Sequence, residues 1–363
     1  MPSLRSSSSR LLAAGLSATA LAVLTFASGL STATATGAPR SGTGKTVGSG
    51  EPITLAFGGD VHFEAQVAKL LRSPDTGLAP LRPYLASADV AIVNLETAVT
   101  WRGTPLTKQY RFRAPASAFT ALAGAGVDVV TMANNHAVDY GATGLTDTLA
   151  ARRAAPLRVV GIGTSAADAY APAVVTARGR KVAVLGASQL LDPTLQQFGA
   201  TSTRPGIAGA RPIDRLVAAV RSARRTADVV VVYLHWGSER DTCPGGNQRA
   251  AATALVAAGA DVVIGSHAHV VQGSGWLGRG YVGYGMGNFV WYSRGAESTT
   301  NTGVLTLTVT GRQVTAARWT PLRIGASGLP AAPAPAVGKR ILTTFDKART
   351  CTGLAAKPPA RPL

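Results

Sequence analysis

The segment Gly259–Gly273 reads GADVVIGSHAHVVQG. Its apolar run, Val262-Val263-Ile264, stops on Gly265 and then presents His267 and His269. A short β-branched run bounded by glycines is the pattern of a strand covered on both faces. Two imidazoles at i and i+2 project to the same side of an extended chain. The pattern therefore predicts a buried strand whose carboxyl end carries a pair of metal-binding or proton-moving groups.

The same construction recurs along the chain. Ile53–Phe57 breaks on Gly58-Gly59 and delivers Asp60 and His62. DVAIVNLE, starting at Asp89, ends on Asn94 and Glu96; DVVTMANNH, starting at Asp128, ends on Asn134, Asn135 and His136. DVVVVYLHW, starting at Asp228, ends on His235. All 5 histidines of the chain lie at such strand ends. In open α/β sheets, ligands bind at the carboxyl ends of the strands. Imidazole and carboxylate together suit Mn, Fe or Zn. The donors Asp60, His62, Glu96, Asn135, His235, His267 and His269 exceed the needs of one tetrahedral ion and suit two divalent ions sharing a carboxylate. His136 is then free to protonate a leaving oxygen, with Asp139 orienting it. Arg111 and Arg113 read either as surface charges or as clamps for phosphate or carboxylate. The repeated Asp89, Asp128, Asp228 and Asp261 read as caps on the turns of the preceding helices.

The 363 residues allow a full core, which 46% hydrophobic but only 6% aromatic content makes largely Ala, Val and Leu. Residues 1–38 carry Arg5 and Arg10, then an apolar run and the Ala33-Thr34-Ala35 triplet, the pattern of a cleaved secretory signal; an uncleaved membrane anchor is the alternative. Residues 39–51 form a flexible linker, 52–325 a single domain, and 326–363 an Ala/Pro linker followed by a C-terminal helix. In an exported chain the only two cysteines, Cys243 and Cys351, are expected to form a disulfide. The net charge of +18 reads either as a solvated basic surface or as attraction to an anionic cell-wall or capsular polymer. Nucleic acid is not implied, because no basic run is interleaved with aromatics. Between the strands, Ser117–Ala125, Thr143–Arg153, Ile213–Arg225 and Asn247–Ala258 have helical spacing. Ser188–Gly209 has no regular pattern, and Gly303–Val309 with Gln313–Trp319 forms a hairpin about Gly311-Arg312. Alternating βα units closed by a hairpin make an α/β fold.

The motif order, D-x-H, a carboxylate strand end, N-H, a lone H and G-x-H-x-H, resembles the calcineurin-like metallophosphoesterase superfamily. More closely, Asn94-Leu95-Glu96-Thr97, Lys108 to Arg113, Ala133 to Gly141, His235 to Glu239, Gly265 to His269 and Gly287-Asn288-Phe289 are similar to the CapA family of poly-γ-glutamate capsule biosynthesis proteins. The resemblance implies a four-layer α/β/β/α sandwich. It implies one ion on Asp60, His62 and His269, and another on Asn135, His235 and His267, with Glu96 as bridge. Asn-Leu-Glu stands where ordinary phosphoesterases carry GD-x-x-D, so the bridge is longer by one methylene. The function implied is a secreted or cell-surface metal-dependent hydrolase or transferase acting on a phosphoester or γ-glutamyl polymer. A non-catalytic polymer-binding subunit working with membrane-bound capsule synthesis proteins is the other class.

Overall fold

A computed structural model of the protein describes residues 50–292 and 296–360. The expected signal and nearly all of the linker lie outside the described residues. No helix among the described residues is long and apolar enough to cross a membrane.

Two sheets carry the fold. In the first, Ile53–Val61, Val90–Leu95, Val129–Thr131 and Arg158–Val160 run parallel in that order. The hairpin Asn301–Thr310 and Gln313–Ile324 extends it on the other side of Ile53–Val61. In the second sheet Arg180–Ser188, Val229–His235, Val262–Ser266 and Gly280–Gly283 are parallel, with antiparallel strands Ala173–Ala177 and Ser274–Leu277 at its edges.

The period-2 alternation of each strand assigns its residues to different layers. Leu55, Phe57 and Ile92 of one sheet meet Val231, Tyr233 and Ile264 of the other in a shared interior, all fully buried. The intervening Ala91, Val93 and Val130 face outward, beneath Leu122 of the helix Ser117–Gly124 and Leu145 of Gly141–Ala154. On the far side Val230, Val232 and Val263 lie beneath Leu216 of Asp214–Arg224 and Leu255 of Gly246–Ala258. Both faces of both sheets are covered, which is why the strands read as continuous apolar runs. The result is the four-layer α/β/β/α sandwich. Each fully buried Val, Leu, Ile or Phe contributes about 1.5–3 kcal/mol relative to exposure.

The four aspartates that open strands do not cap helices. Each accepts a hydrogen bond from a backbone amide at the start of the neighbouring strand. Asp89 takes Thr54 N–H at 2.8 Å, Asp128 takes Ala91 at 2.8 Å, Asp228 takes Lys181 at 2.9 Å and Asp261 takes Val230 at 2.8 Å. The backbone N–H of each aspartate donates to the carbonyl of the same partner residue. A buried amide at a strand entrance needs an acceptor, and the aspartate side chain supplies one only at a single register. The entrances are thereby aligned, and with them the exits that carry the chemistry.

The chain after residue 325 packs on this frame. Pro330–Ala331 adds a short strand to Gln313–Ile324 within the Ala/Pro stretch. The helix Pro335–Ala348 stacks Phe345 on Trp319, with ring centroids 4.4 Å apart. The irregular Ser188–Gly209 stretch contains the helix Pro193–Phe198, capped by the Asp192 carboxylate at Leu195 N–H. Cys243 and Cys351 are joined by a disulfide with a sequence separation of 108. Arg249 donates to the carbonyls of Cys351 and Thr352, reinforcing the same junction.

Closing a loop of this length stabilises a fold by about 4–5 kcal/mol in the chain-entropy account. Cys351→Ser is expected to lower the urea unfolding midpoint correspondingly, and reductant should lower that of the unaltered protein to the same value. Unchanged midpoints in both would show that the bridge contributes nothing.

Candidate metal centre

Close backbone approaches bring the strand ends together. At Gly59 a Cβ would fall 1.8 Å from the Gly287 carbonyl oxygen, and at Gly265 one would fall 2.0 Å from the Trp236 indole nitrogen. Only glycine fits either place. The strand Asn288–Val290 lies parallel to Ile53–Val61 there, pairing Asp60 with Asn288, while Val90–Leu95 pairs Asp60 with Asn94 on its other side.

His267 and His269 are not on an extended chain as their spacing suggests. The strand ends at Ser266, and both histidines have left-handed backbones, φ 89° and 55°. Such conformations cost about 1–3 kcal/mol each for residues other than glycine. They are held by His267 N–H donating to Asp60 Oδ2 at 3.1 Å and by Arg240 N–H donating to the Ala268 carbonyl at 2.7 Å. The turn separates the imidazoles by 5.9 Å between ring centroids and gives each a different set of neighbours.

Two donor groups result. Glu96, His235 and His267 form one, and Asp60, Glu96 and His269 form the other, with donor atoms of each group within 4.8 Å of one another. Glu96 belongs to both. Its carboxylate is completely buried, and neither oxygen has a hydrogen-bond partner among the described residues; His267 Nδ1 is likewise buried without one. Unpaired anionic oxygens inside a protein are costly unless a cation faces them. These donors, two carboxylates and three imidazoles with orphaned atoms, fit divalent metal.

The remaining expected donors occupy different positions. Asn135 lies against the first group, its Oδ1 2.8 Å from His235 Nε2. His62 lies outside both groups. Its Nδ1 accepts from Glu64 N–H at 3.0 Å, and its ring stacks on Phe112 at 4.6 Å with Trp291 and Tyr292 edge-on at 4.1 and 4.4 Å. Asn94 orients donors: its Nδ2 donates to Asp60 Oδ1 at 2.8 Å and lies 3.3 Å from His235 Nδ1, while its Oδ1 accepts from Asn134 at 3.0 Å. Amides in this position fix ligand orientation.

His136 stands at the edge of the cluster. Its Nδ1 is 2.6 Å from Asp139 Oδ2, and its Nε2 is 3.8 Å from Glu96 Oε1. Lys108 donates to Asp139 Oδ1 at 2.8 Å and to the Asn135 carbonyl at 2.7 Å, and Phe112 N–H donates to Asp139 Oδ2 at 2.6 Å. Phe112 lies between the His136 and His62 rings, 4.1 and 4.6 Å from their centroids. The sequence places Lys108 and Phe112 in a motif without giving either a role. The alternation of KQYRFR carried the signal, because Phe112 must face opposite to Arg111 and Arg113 in an extended segment. Arg111 is exposed, and Arg113 places its guanidinium over the rings of Tyr140 and Trp101 at 4.9 and 5.3 Å.

Burial and the neighbouring Asp60 carboxylate hold the Glu96 carboxyl well above its ordinary range. Burial pulls His235 well below the usual imidazole value and His267 down to about 3. Burial also opposes charge on His269, but Glu96 and Asp60 outweigh it and push this imidazole up to about 9. Burial lowers His136 against the pull of Asp139.

The fold and the donor set define the class: an α/β/β/α sandwich with a buried cluster of carboxylates and imidazoles that could hold divalent metal. The family model for the bacterial capsule synthesis protein PGA_cap matches residues 54–293, and the chain belongs to that family. It is 33% identical over 250 residues to the capsule biosynthesis protein CapA of Bacillus anthracis, covering 66% of this chain and 60% of that one. It is 30% identical over 247 residues to the PGA biosynthesis protein CapA of Bacillus subtilis (strain 168), covering 67% and 64%. The match thus spans less than two thirds of the length of these relatives. Among solved structures, a hypothetical protein from Thermus thermophilus matches with a TM-score of 0.47 and 18% identity, over 75% of this chain and 99% of that one. The 5′-nucleotidase from Candida albicans matches with a TM-score of 0.42 and 9% identity, over 82% and 58%.

Metal ligands must be deprotonated. At pH 7.5 the metal-free site holds a proton on His269, whose value is about 9, and Glu96 is raised as well. Uptake of Zn or Mn should therefore release protons, and affinity should rise with pH until His269 has titrated. Calorimetry in buffers of different ionisation enthalpy reads this directly; a binding heat independent of buffer would contradict it.

Proposed function

We propose that the protein is exported and acts as a metal-dependent hydrolase or transferase on an anionic extracellular polymer of the γ-linked polyglutamate type or on a phosphoester. The observation that carries this reading is the buried Glu96 carboxylate, shared between two donor groups and without a hydrogen-bond partner at either oxygen among the described residues. Support for the substrate class comes from the names of the relatives, which concern capsule and PGA biosynthesis. The strongly basic chain, at +18, favours an anionic partner.

Two divalent ions fit the donors best. Asp60, Glu96 and His269 would hold one; Glu96, His235 and His267, with Asn135 beside His235, would hold the other. Such a pair supplies an oxyanion clamp and a source of hydroxide at neutral pH. His62 is assigned to the aromatic wall, since its ring packs there and its Nδ1 is taken by a backbone amide. His136 would protonate the leaving group from Nε2, the nitrogen turned toward Glu96. Asp139 fixes the opposite nitrogen, and Lys108 and the Phe112 amide fix Asp139. Membrane-bound capsule synthesis proteins are the partners this role implies.

The test separates binding from chemistry. His267→Ala should lose metal by elemental analysis. His136→Ala should retain metal and lose turnover of a γ-linked oligoglutamate or a phosphodiester by about 10²–10⁴-fold. Metal loss in His136→Ala, or unaltered turnover there, would overturn the assignment.

A further inference from the structure

The cleft that opens onto His136 and His269 has a volume of about 320 Å³. Tyr110, Phe112, Trp291 and Tyr292 give it an aromatic wall, and Glu239 and Arg240 add charge. Arg240 is the one Lys or Arg lining it among the described residues. The other basic groups nearby are committed: Lys108 to Asp139, and Arg113 to the faces of Tyr140 and Trp101. The side chain of Arg240 has no hydrogen-bond or ion-pair partner among the described residues, whereas the Glu239 carboxylate acts on His269.

The backbone at Arg240 is the second observation. Its φ is 64°, in the left-handed region, and His267 and His269 share that conformation; Ala268, between them, accepts the Arg240 N–H. Three of the five such residues other than glycine among the described residues thus meet beside the cleft. Glycine would take this backbone without penalty. The loop is held firmly: Gln272 donates to the Asp241 carbonyl at 2.8 Å, and Cys243 is bridged to Cys351. An anchored loop fixes the point from which the side chain leaves, so binding has no backbone left to order.

We infer that Arg240 is the residue by which the cleft recognises a carboxylate of an anionic chain, while the aromatic wall takes up the apolar part of the same chain. The inference deepens the proposed function and rests on its substrate class. A guanidinium matches a carboxylate with two parallel donors, and Tyr, Trp and Phe faces suit the methylenes between successive carboxylates.

The experiment uses the metal-loaded protein and two probes, a γ-linked glutamate oligomer and the same oligomer with its free carboxylates amidated. Arg240→Gly removes the charge and relieves the backbone. It should raise or preserve the melting temperature, keep the metal content, and weaken binding of the acidic oligomer by roughly tenfold to a hundredfold. Arg240→Lys should fall between Arg240→Gly and the unaltered protein. The amidated oligomer should bind every form equally weakly. Arg111→Ala with Arg113→Ala serves as the comparison: losing affinity there while Arg240→Gly retains it would overturn the inference. So would an acidic oligomer that the unaltered protein does not bind. Metal content and turnover in the His267→Ala and His136→Ala variants decide the proposed function separately.

Discussion

The structure depends on one buried carboxylate. Glu96 is fully enclosed, and neither of its oxygens meets a hydrogen-bond donor among the described residues. A buried anion in that state neutralises or faces a cation. Its surroundings show both responses: the Glu96 carboxyl is raised by burial and by Asp60, and the adjacent His269 imidazole is held charged by the same carboxylates. Five donor side chains converge on the place where a cation would relieve this imbalance. Asn94 and Asn135 turn their amides toward Asp60 and His235, and Asn134 holds Asn94 in place.

Convergence of this kind requires register. The sheets deliver Asp60, Glu96, His235 and the His267–His269 turn from four different strands, and a one-residue slip in any of them would turn its donor away. The strand-entry aspartates set that register from the opposite end, each satisfying an amide of the next strand. They lie far from the chemistry in role yet act on it through alignment. Gly59 and Gly265 then allow backbones to approach more closely than any side chain would permit.

Much of this was legible in the chain itself. Runs such as DVVVVYLHW admit little other than a strand covered on both faces, because their β-branched residues continue without a polar position. The histidines at strand ends pointed to one cluster, and the structure brings His136, His235, His267 and His269 around Glu96. The paired cysteines followed from their number and the expected compartment. What escaped was direction. His62 follows Asp60 by two residues and reads as its partner, yet Glu64 N–H and the Phe112 ring draw it into an aromatic stack. Lys108 and Asn94 stand within recognisable motifs, but the groups they act on, Asp139 and Asp60, lie 31 and 34 positions away, so their roles are not read locally.

The sequence by itself determined the strands and set the candidate donors at their ends, because periodicity and residue chemistry are local properties of a chain. Tertiary structure decided how the donors divide. The left-handed backbones at His267 and His269 send neighbouring imidazoles to different groups, and contacts from Asp60, Arg240 and Asn288 stabilise those conformations. Which basic side chain faces the cleft was settled in the same way. Arg113 is drawn to two aromatic faces and Lys108 to a buried carboxylate, leaving Arg240, on a loop anchored by a disulfide, at the cleft. Orientation of this kind depends on groups distant in sequence, so no local pattern encodes it.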